Sequence, residues 1–241
     1  MKPVLIIAAV PQELSLLKEA LGKGSRRGRS AFGHVTGAIG GRRVVLCAAG
    51  VGKVNAAAAT AALIERFRPG LVINTGCAGA YAGSGLAIGD LATAGEEILG
   101  DEGVLTAAGW QDLNFMGLPS LLQGERRWYN EIPLCGPAAG QAVRLAEKLG
   151  LRLVRGRFVT VSTCSGSSER GEELALRFGA ICENMEGAAV ALTCLRYGID
   201  CLEVRGISNQ VEERDMKRWD IPAAVAAAQR FVLSYIEDMN P

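Results

Sequence analysis

Short apolar runs alternate along this chain with stretches whose apolar residues recur at helical spacing, and each switch of period predicts a new element. Val4–Val10 is unbroken and apolar, which predicts a buried strand. Gln12–Leu21 follows with Leu14, Leu17 and Leu21 on one helical face, closed by Gly22. Gly22–Gly41 is rich in Gly, Ser and Arg and predicts a turn with a short hairpin strand. Arg43–Ala49 reads as a strand, Gly50-Val51-Gly52 as a tight turn, and Val54–Phe67 as a helix ended by Arg68-Pro69-Gly70. Leu71–Asn74 is again a buried strand, with Thr75-Gly76-Cys77-Ala78-Gly79 as the loop after it. Asp90–Ala94 predicts another strand. Gly95–Pro133 lacks clear periodicity and carries Trp110, Phe115, Trp128 and Tyr129. Helices are then predicted over Gly136–Leu149, Glu172–Phe178, Glu183–Tyr197 and Ile221–Asp238, and strands over Arg157–Ser162 and Asp200–Ile207.

This alternation predicts an α/β fold with a central, mostly parallel mixed sheet flanked by helices. No repeat, low-complexity segment or linker divides the chain, so a single domain over residues 1–241 is expected. In such sheets ligands sit beyond the carboxyl ends of the strands. Glu13, Gly50–Gly52, Thr75–Gly79, Ser162–Ser165 and Ser208-Asn209 would then gather at one rim.

Composition narrows the picture. Hydrophobic residues make up 49% of the chain and aromatics only 5%, so Ala, Val and Leu must fill the core, which suits close helix-on-sheet packing. A net charge of +1 gives no electrostatic case for nucleic acid or an anionic membrane. The apolar runs are shorter than a membrane span and no signal peptide precedes Val4, so a cytoplasmic protein is expected. Seven cysteines (Cys47, Cys77, Cys135, Cys164, Cys182, Cys194 and Cys201) include no CxxC pair, which argues against a disulfide framework and zinc. Cys47 and Cys201 lie in apolar runs and read as core residues. The single histidine, His34, reads as a surface or turn residue and supports no His-dependent triad. No cofactor or metal is expected.

Two carboxylates carry the chemistry. Glu13 follows the first strand and Glu186 lies in Asn184-Met185-Glu186-Gly187-Ala188-Ala189; both are set among apolar residues, where desolvating a charge is costly unless something uses it. Gly50-Val51-Gly52 opens a helix and could cradle an anion on backbone N–H groups, or serve simply as a tight turn.

Ala49-Gly50-Val51-Gly52-Lys53-Val54-Asn55-Ala56-Ala57 and Ile73-Asn74-Thr75-Gly76-Cys77-Ala78-Gly79 resemble the nucleoside phosphorylase and hydrolase superfamily. Asn184-Met185-Glu186-Gly187-Ala188-Ala189 and Val204-Arg205-Gly206-Ile207-Ser208-Asn209 are similar to its methylthioadenosine/S-adenosylhomocysteine nucleosidase branch. With Arg214-Asp215-Met216-Lys217-Arg218-Trp219 the set looks like the futalosine hydrolases of that branch, which remove hypoxanthine from futalosine in menaquinone biosynthesis. The resemblance spans nearly the whole chain. It implies cleavage of an N-glycosidic bond by a homodimer, with Gly95–Pro133 contributing to the neighbour's pocket. It implies Glu13 as general base toward water, in an apolar setting made by Val10, Pro11 and Leu14. Glu186 would hold the ribose hydroxyls and favour the sugar cation, with Met185 against the sugar face. Cys77, Ala78, Gly79 and Ser208 would line the substrate. Trp219 would line the 5′ side, where futalosine carries a carboxyphenyl-ketone arm; Trp110, Phe115 or Trp128 from a second subunit are alternatives. Arg205 would pair with one of the carboxylates or lie under the site.

Asn209 discriminates between substrates. The adenine-cleaving branch has Asp there, suited to a 6-amino group. An amide accepts from N7–H and donates to a 6-oxo group, which favours hypoxanthine. Ser162–Ser168 departs from the branch, which places a base-stacking aromatic in that run. Three rivals remain on the sequence: phosphorolysis, against which Glu13 stands; hydrolysis of methylthioadenosine and adenosylhomocysteine, against which Asn209 stands; and a nucleoside-binding protein without turnover, against which the pair of acids stands.

Overall fold

The structure, a computed structural model, describes residues 1–28, 31–134 and 136–239; Cys135 lies outside them. The strands are β1 (Val4–Ala8), β2 (Arg26–Gly28), β3 (His34–Ile39), β4 (Arg42–Ala48), β5 (Leu71–Ala80), β6 (Leu91–Leu99), β7 (Val104–Thr106), β8 (Gly109–Gln111), β9 (Leu121–Gln123), β10 (Arg126–Trp128), β11 (Glu131–Pro133), β12 (Leu153–Thr160), β13 (Ala180–Asn184) and β14 (Asp200–Gln210). The helices are α1 (Ser15–Ala20), α2 (Lys53–Phe67), α3 (Leu113–Met116), α4 (Pro137–Leu149), α5 (Ser168–Phe178), α6 (Gly187–Tyr197) and α7 (Ile221–Asp238).

Ten strands form one mixed sheet in the order β11-β6-β12-β13-β5-β1-β4-β3-β2, with β14 paired to both β5 and β6. β5, β14, β6, β12 and β13 therefore close on themselves as a ring. β1 lies between β4 and β5 and is parallel to both, which explains its five buried apolar residues. One core cluster lies under α2 and α6, and a second under α1, α4 and α7. Small residues such as Ala56, Ala59, Ala188 and Ala191 allow the helices to pack closely, as the low aromatic content implies. Among the described residues, no helix is long and apolar enough to cross a membrane.

The structure corrects several sequence-based boundaries. Thr75–Gly79 is not a loop: it continues β5 to Ala80, because β14 pairs with it along its length and β13 meets its far end. Glu183-Asn184 does not start a helix; both end β13, and α6 begins only at Gly187. Gln12–Leu21 divides into a 3-10 turn, Pro11–Leu14, and α1. The aperiodic stretch from Gly95 holds the rest of β6, two short hairpins, α3 and β11. His34 is buried, not a surface residue: its ring packs edge-on against Phe67 at 5.1 Å, and Nδ1 lies 3.2 Å from the Phe32 carbonyl. Cys47 and Cys201 are core residues, as their apolar runs imply.

Candidate active site

Beyond the carboxyl ends of β1 and β4, a cleft of about 330 Å³ is lined by Glu13, Cys77, Ala78, Gly79, Met185, Glu186, Ser208, Asn209 and Trp219. Of the rim predicted from topology, Glu13, Val51, Cys77–Gly79, Cys164-Ser165 and Ser208-Asn209 line this cleft. A larger cavity of about 670 Å³ flanks β3 and β4, but none of its described lining residues is acidic, and it holds none of the candidates.

Glu13 sits in the 3-10 turn after β1. Ala9 N–H and Val10 N–H donate to its Oε2 at 3.0 and 3.1 Å, and Cys77 N–H donates to Oε1 at 3.1 Å. These three amides compensate for taking a charge out of water. The turn is itself fixed from behind: buried Gln229 of α7 accepts from Leu16 N–H at 2.8 Å and donates to the Gln12 carbonyl at 3.2 Å. Gly76 leaves room for the acid, since a β-carbon there would lie 2.4 Å from Glu13 Oε1. Burial, reinforced by the charge of Glu13, pushes the Cys77 thiol up to about 11, so its side chain stays neutral.

Glu186 immediately precedes α6. Its Oε1 accepts from Gly52 N–H at 2.9 Å, and its Oε2 lies 3.6 Å from Arg205 Nη1. The Gly50–Gly52 turn therefore binds an anion of the chain's own. Burial raises the proton affinity of Glu186 above the usual carboxylate range; Arg205 and the Gly52 amide oppose that shift. Asn184 Oδ1 orients this corner by accepting from Glu186 N–H at 2.9 Å and Gly187 N–H at 2.6 Å. Arg205, in β14, is almost fully buried. Its Nε donates to Glu203 at 2.8 Å and its Nη1 to the Cys77 carbonyl at 3.3 Å. Burial works against its charge, but Glu203, Glu186 and Glu13 outweigh that and hold its pKa above the ordinary arginine value.

Asn209 also lines the cleft, next to a bulge at Ser208 where β14 slips register against β5. Ser208 Oγ donates to Asn209 Oδ1 at 2.8 Å, with the Ala78 carbonyl 3.3 Å away. Asn209 Nδ2 donates to the Gln210 carbonyl at 2.9 Å. One N–H and one lone pair of the amide remain for a ligand. Gly79 lets the amide lie against β5, because a β-carbon there would be 3.2 Å from Asn209 Nδ2.

The Ser162–Ser168 run supplies Cys164 and Ser165 to the lining and no aromatic. Ser165 is pinned by Glu183, whose carboxylate accepts from Ser165 N–H at 2.8 Å, Ser165 Oγ at 2.6 Å and Tyr81 Oη at 3.1 Å. Trp219 faces the cleft with the guanidinium of Arg214 5.1 Å from its ring centroid. Trp110 is not part of this cleft within the chain: it stacks edge-on against Phe178 and under Arg177, and Trp128 shares that separate hollow. Phe115, Leu118 and Leu122 are more than half exposed.

Sequence reasoning gives Glu183, Glu97 and Glu203 no role and names Asn184 and Arg214 only within motifs; Glu183 and Asn184 read there as the start of a helix. Glu203 and Arg205 carried a usable signal: two charges spaced two apart in an apolar strand share one face. Among the described residues no three His, Cys, Asp or Glu side chains converge to hold a metal.

The chemistry available is that of two carboxylates and one side-chain amide lining a single cleft. Residues 3–237 match the family model described as the phosphorylase superfamily. The chain is 39% identical over 183 residues to the futalosine hydrolase of Thermus thermophilus, covering 76% of each. It is 31% identical over 205 residues to a 5′-methylthioadenosine/S-adenosylhomocysteine nucleosidase of Halalkalibacterium halodurans, covering 85% of this chain and 84% of the relative. The corresponding nucleosidase of Neisseria meningitidis, solved with methylthio-immucillin-A, superposes with a TM-score of 0.85 at 28% identity, covering 99% of this chain and all of the other.

Proposed function

The chain belongs to the phosphorylase superfamily, and from that premise we propose that it is a futalosine hydrolase, cleaving the N-glycosidic bond to release hypoxanthine in menaquinone biosynthesis in the cytoplasm. Glu13 takes a proton from the attacking water, and its fixed set of amides aims it at the anomeric carbon. Glu186 accepts from the ribose 2′- and 3′-hydroxyls, and its charge favours the sugar cation over the neutral ground state. Met185 packs on the sugar, and the Cys77–Gly79 backbone lines the floor. Ser208 orients Asn209, whose free N–H meets the 6-oxo group and whose free lone pair meets N7–H.

The amide of Asn209 carries this reading. A carboxylate there would have no donor for a 6-oxo oxygen. Identity to the Thermus enzyme supports it, as does the Trp219–Arg214 wall, an aromatic and basic surface suited to a carboxyphenyl arm. Water rather than phosphate is the acceptor, because Glu13 would repel an oxyanion and the Gly52 amide is already taken by Glu186. The exposed Phe115, Leu118 and Leu122 suit a homodimer face.

The reading is tested by base release from futalosine, inosine and methylthioadenosine, with and without phosphate. Futalosine should be cleaved fastest and independently of phosphate; faster cleavage of methylthioadenosine, or phosphate-dependent turnover, defeats it. The second reading, a methylthioadenosine/S-adenosylhomocysteine nucleosidase, is favoured by the names of several relatives at about 30% identity. Asn209→Asp separates the two: on the futalosine reading it lowers cleavage of 6-oxopurine nucleosides by ~100-fold and raises that of adenine nucleosides.

A further inference from the structure

Behind Glu186 lies a second acidic pair that the reaction does not use directly. Glu97 in β6 and Glu203 in β14 are both fully buried. They meet over the first residue of α6: a β-carbon on Gly187 would lie 1.9 Å from Glu97 Oε1 and 2.6 Å from Glu203 Oε1. Asn184 Nδ2 donates to Glu97 Oε1 at 2.6 Å, and Thr160 Oγ1 donates to Glu97 Oε2 at 2.7 Å. Glu203 Oε1 accepts from Arg205 Nε at 2.8 Å, while its Oε2 has no N–H or O–H donor among the described residues. Glu97 Oε1 and Glu203 Oε1 thus crowd the same small space at Gly187, with both side chains out of water. Two ionised carboxylates repel each other at such an approach, and a single proton between them turns the repulsion into a hydrogen bond.

We infer that one proton is shared between Glu97 and Glu203, and that the neutral acid at position 97 is a positioning residue for the sugar-binding end of the cleft. With the proton in place, Glu203 carries one negative charge and Arg205 one positive charge, and the buried pair is balanced. Arg205 then stays with Glu203 and remains 3.6 Å from Glu186 Oε2, which leaves Glu186 open to hydroxyl donors. Glu97 also fixes the Asn184 amide: with Nδ2 held by Glu97, Oδ1 must face Glu186 N–H and Gly187 N–H. Without the proton, a second buried charge would have no counter-ion and would compete for Arg205.

The titratable groups around Glu97 agree with this. Burial raises its proton affinity, and the charge of Glu203 raises it further. Cys182 faces it from β13, with its thiol pushed up by burial and by both acids, and stays neutral. Arg205 on β14 and Glu186 ahead of α6 are the other charges nearby. From β12 and β11, Thr160 and Ile132 adjoin it, and neither titrates.

The kinetic test depends on the hydrolase reading; the spectroscopic test does not. In the infrared spectrum of the wild type at neutral pH, a protonated-carboxyl C=O band is expected, and Glu97→Gln should remove it. In base-release assays, Glu97→Ala should lower kcat about 10- to 100-fold by loosening Glu186, whereas Glu97→Gln should restore kcat and KM near the wild-type values. Wild-type kcat should fall at alkaline pH as the shared proton leaves, and Glu97→Gln should lack that fall. The inference is overturned if the band is absent or survives in Glu97→Gln, if Glu97→Gln is as impaired as Glu97→Ala, or if its alkaline limb matches the wild type. Should Glu97→Ala fail to fold, Glu97→Gln and the band still decide. Should no nucleoside be cleaved, the proposed activity fails and the band alone judges the shared proton.

Discussion

Glu13 and Glu186 are equally buried, at 5% exposure each, yet the chain holds them by different means. Glu13 is surrounded by neutral donors. Three backbone amides, two from the Ala9-Val10 link after β1 and one from β5, fix both oxygens, and α7 braces the turn through Gln229. Glu186 has one amide and one guanidinium, and the guanidinium stands off at 3.6 Å. A base must aim at one point throughout the reaction, so rigid amides suit it. A group that meets substrate hydroxyls and then a growing positive charge keeps some of its acceptor capacity unspent. On the proposed roles, the first corner serves direction and the second charge.

The sharpest way to break this comparison is Glu13→Gln, which keeps the shape but removes the base. It should lower kcat by ~10²–10⁴-fold with little change in KM, measured by steady-state base release. Glu186→Gln should cost ~10²–10³-fold in kcat, and the loss should shrink for 2′-deoxynucleosides, which lack one of the hydroxyls it holds. Gly76→Ala tests direction without deleting any acid: its β-carbon would enter the space of Glu13 Oε1, and kcat should fall by ~10²-fold while KM for the nucleoside changes little.

Stability should then separate the corners in opposite directions. Glu13→Gln loses an acceptor for backbone amides and should destabilise the protein by about 1–3 kcal/mol in denaturant unfolding. Glu186 has a proton affinity raised on folding. Its contribution is therefore fully present below the ordinary carboxylate pKa and is lost as pH rises through the folded value. Glu186→Gln should melt above the wild type at neutral pH, with the gap closing as pH falls toward about 4.5, the ordinary glutamate value. A lower melting point at neutral pH would show that the charge, once paired with Arg205, is held as firmly as that of Glu13.

Much of this arrangement was legible in the residues. The apolar run Val4–Val10 and the helical spacing of Leu14 and Leu17 placed Glu13 at a strand end, and four motifs placed Glu186 and Asn209 beside it. What could not be read was decided by pairing across the sheet. Thr75–Gly79 has the small residues of a loop, and only the ladder with β14 makes it a strand. Ala180–Asn184 is too short to announce its period, so Glu183 and Asn184 merged with the helix behind them. Glu97 sits in a polar Gly-Glu-Glu run that reads as exposed; its burial comes from β12 and β11 pairing on either side of it.

β14 carries Glu203 and Arg205 before its bulge and Asn209 just after it. On the proposed reading, one strand holds the machinery common to any sugar and the reader of a particular purine, with an irregularity between them. Descent could alter the reader by a single codon while inheriting the machinery intact, and the bulge would absorb the adjustment. A lineage carrying such a strand can change which base it liberates without reinventing how it breaks the bond.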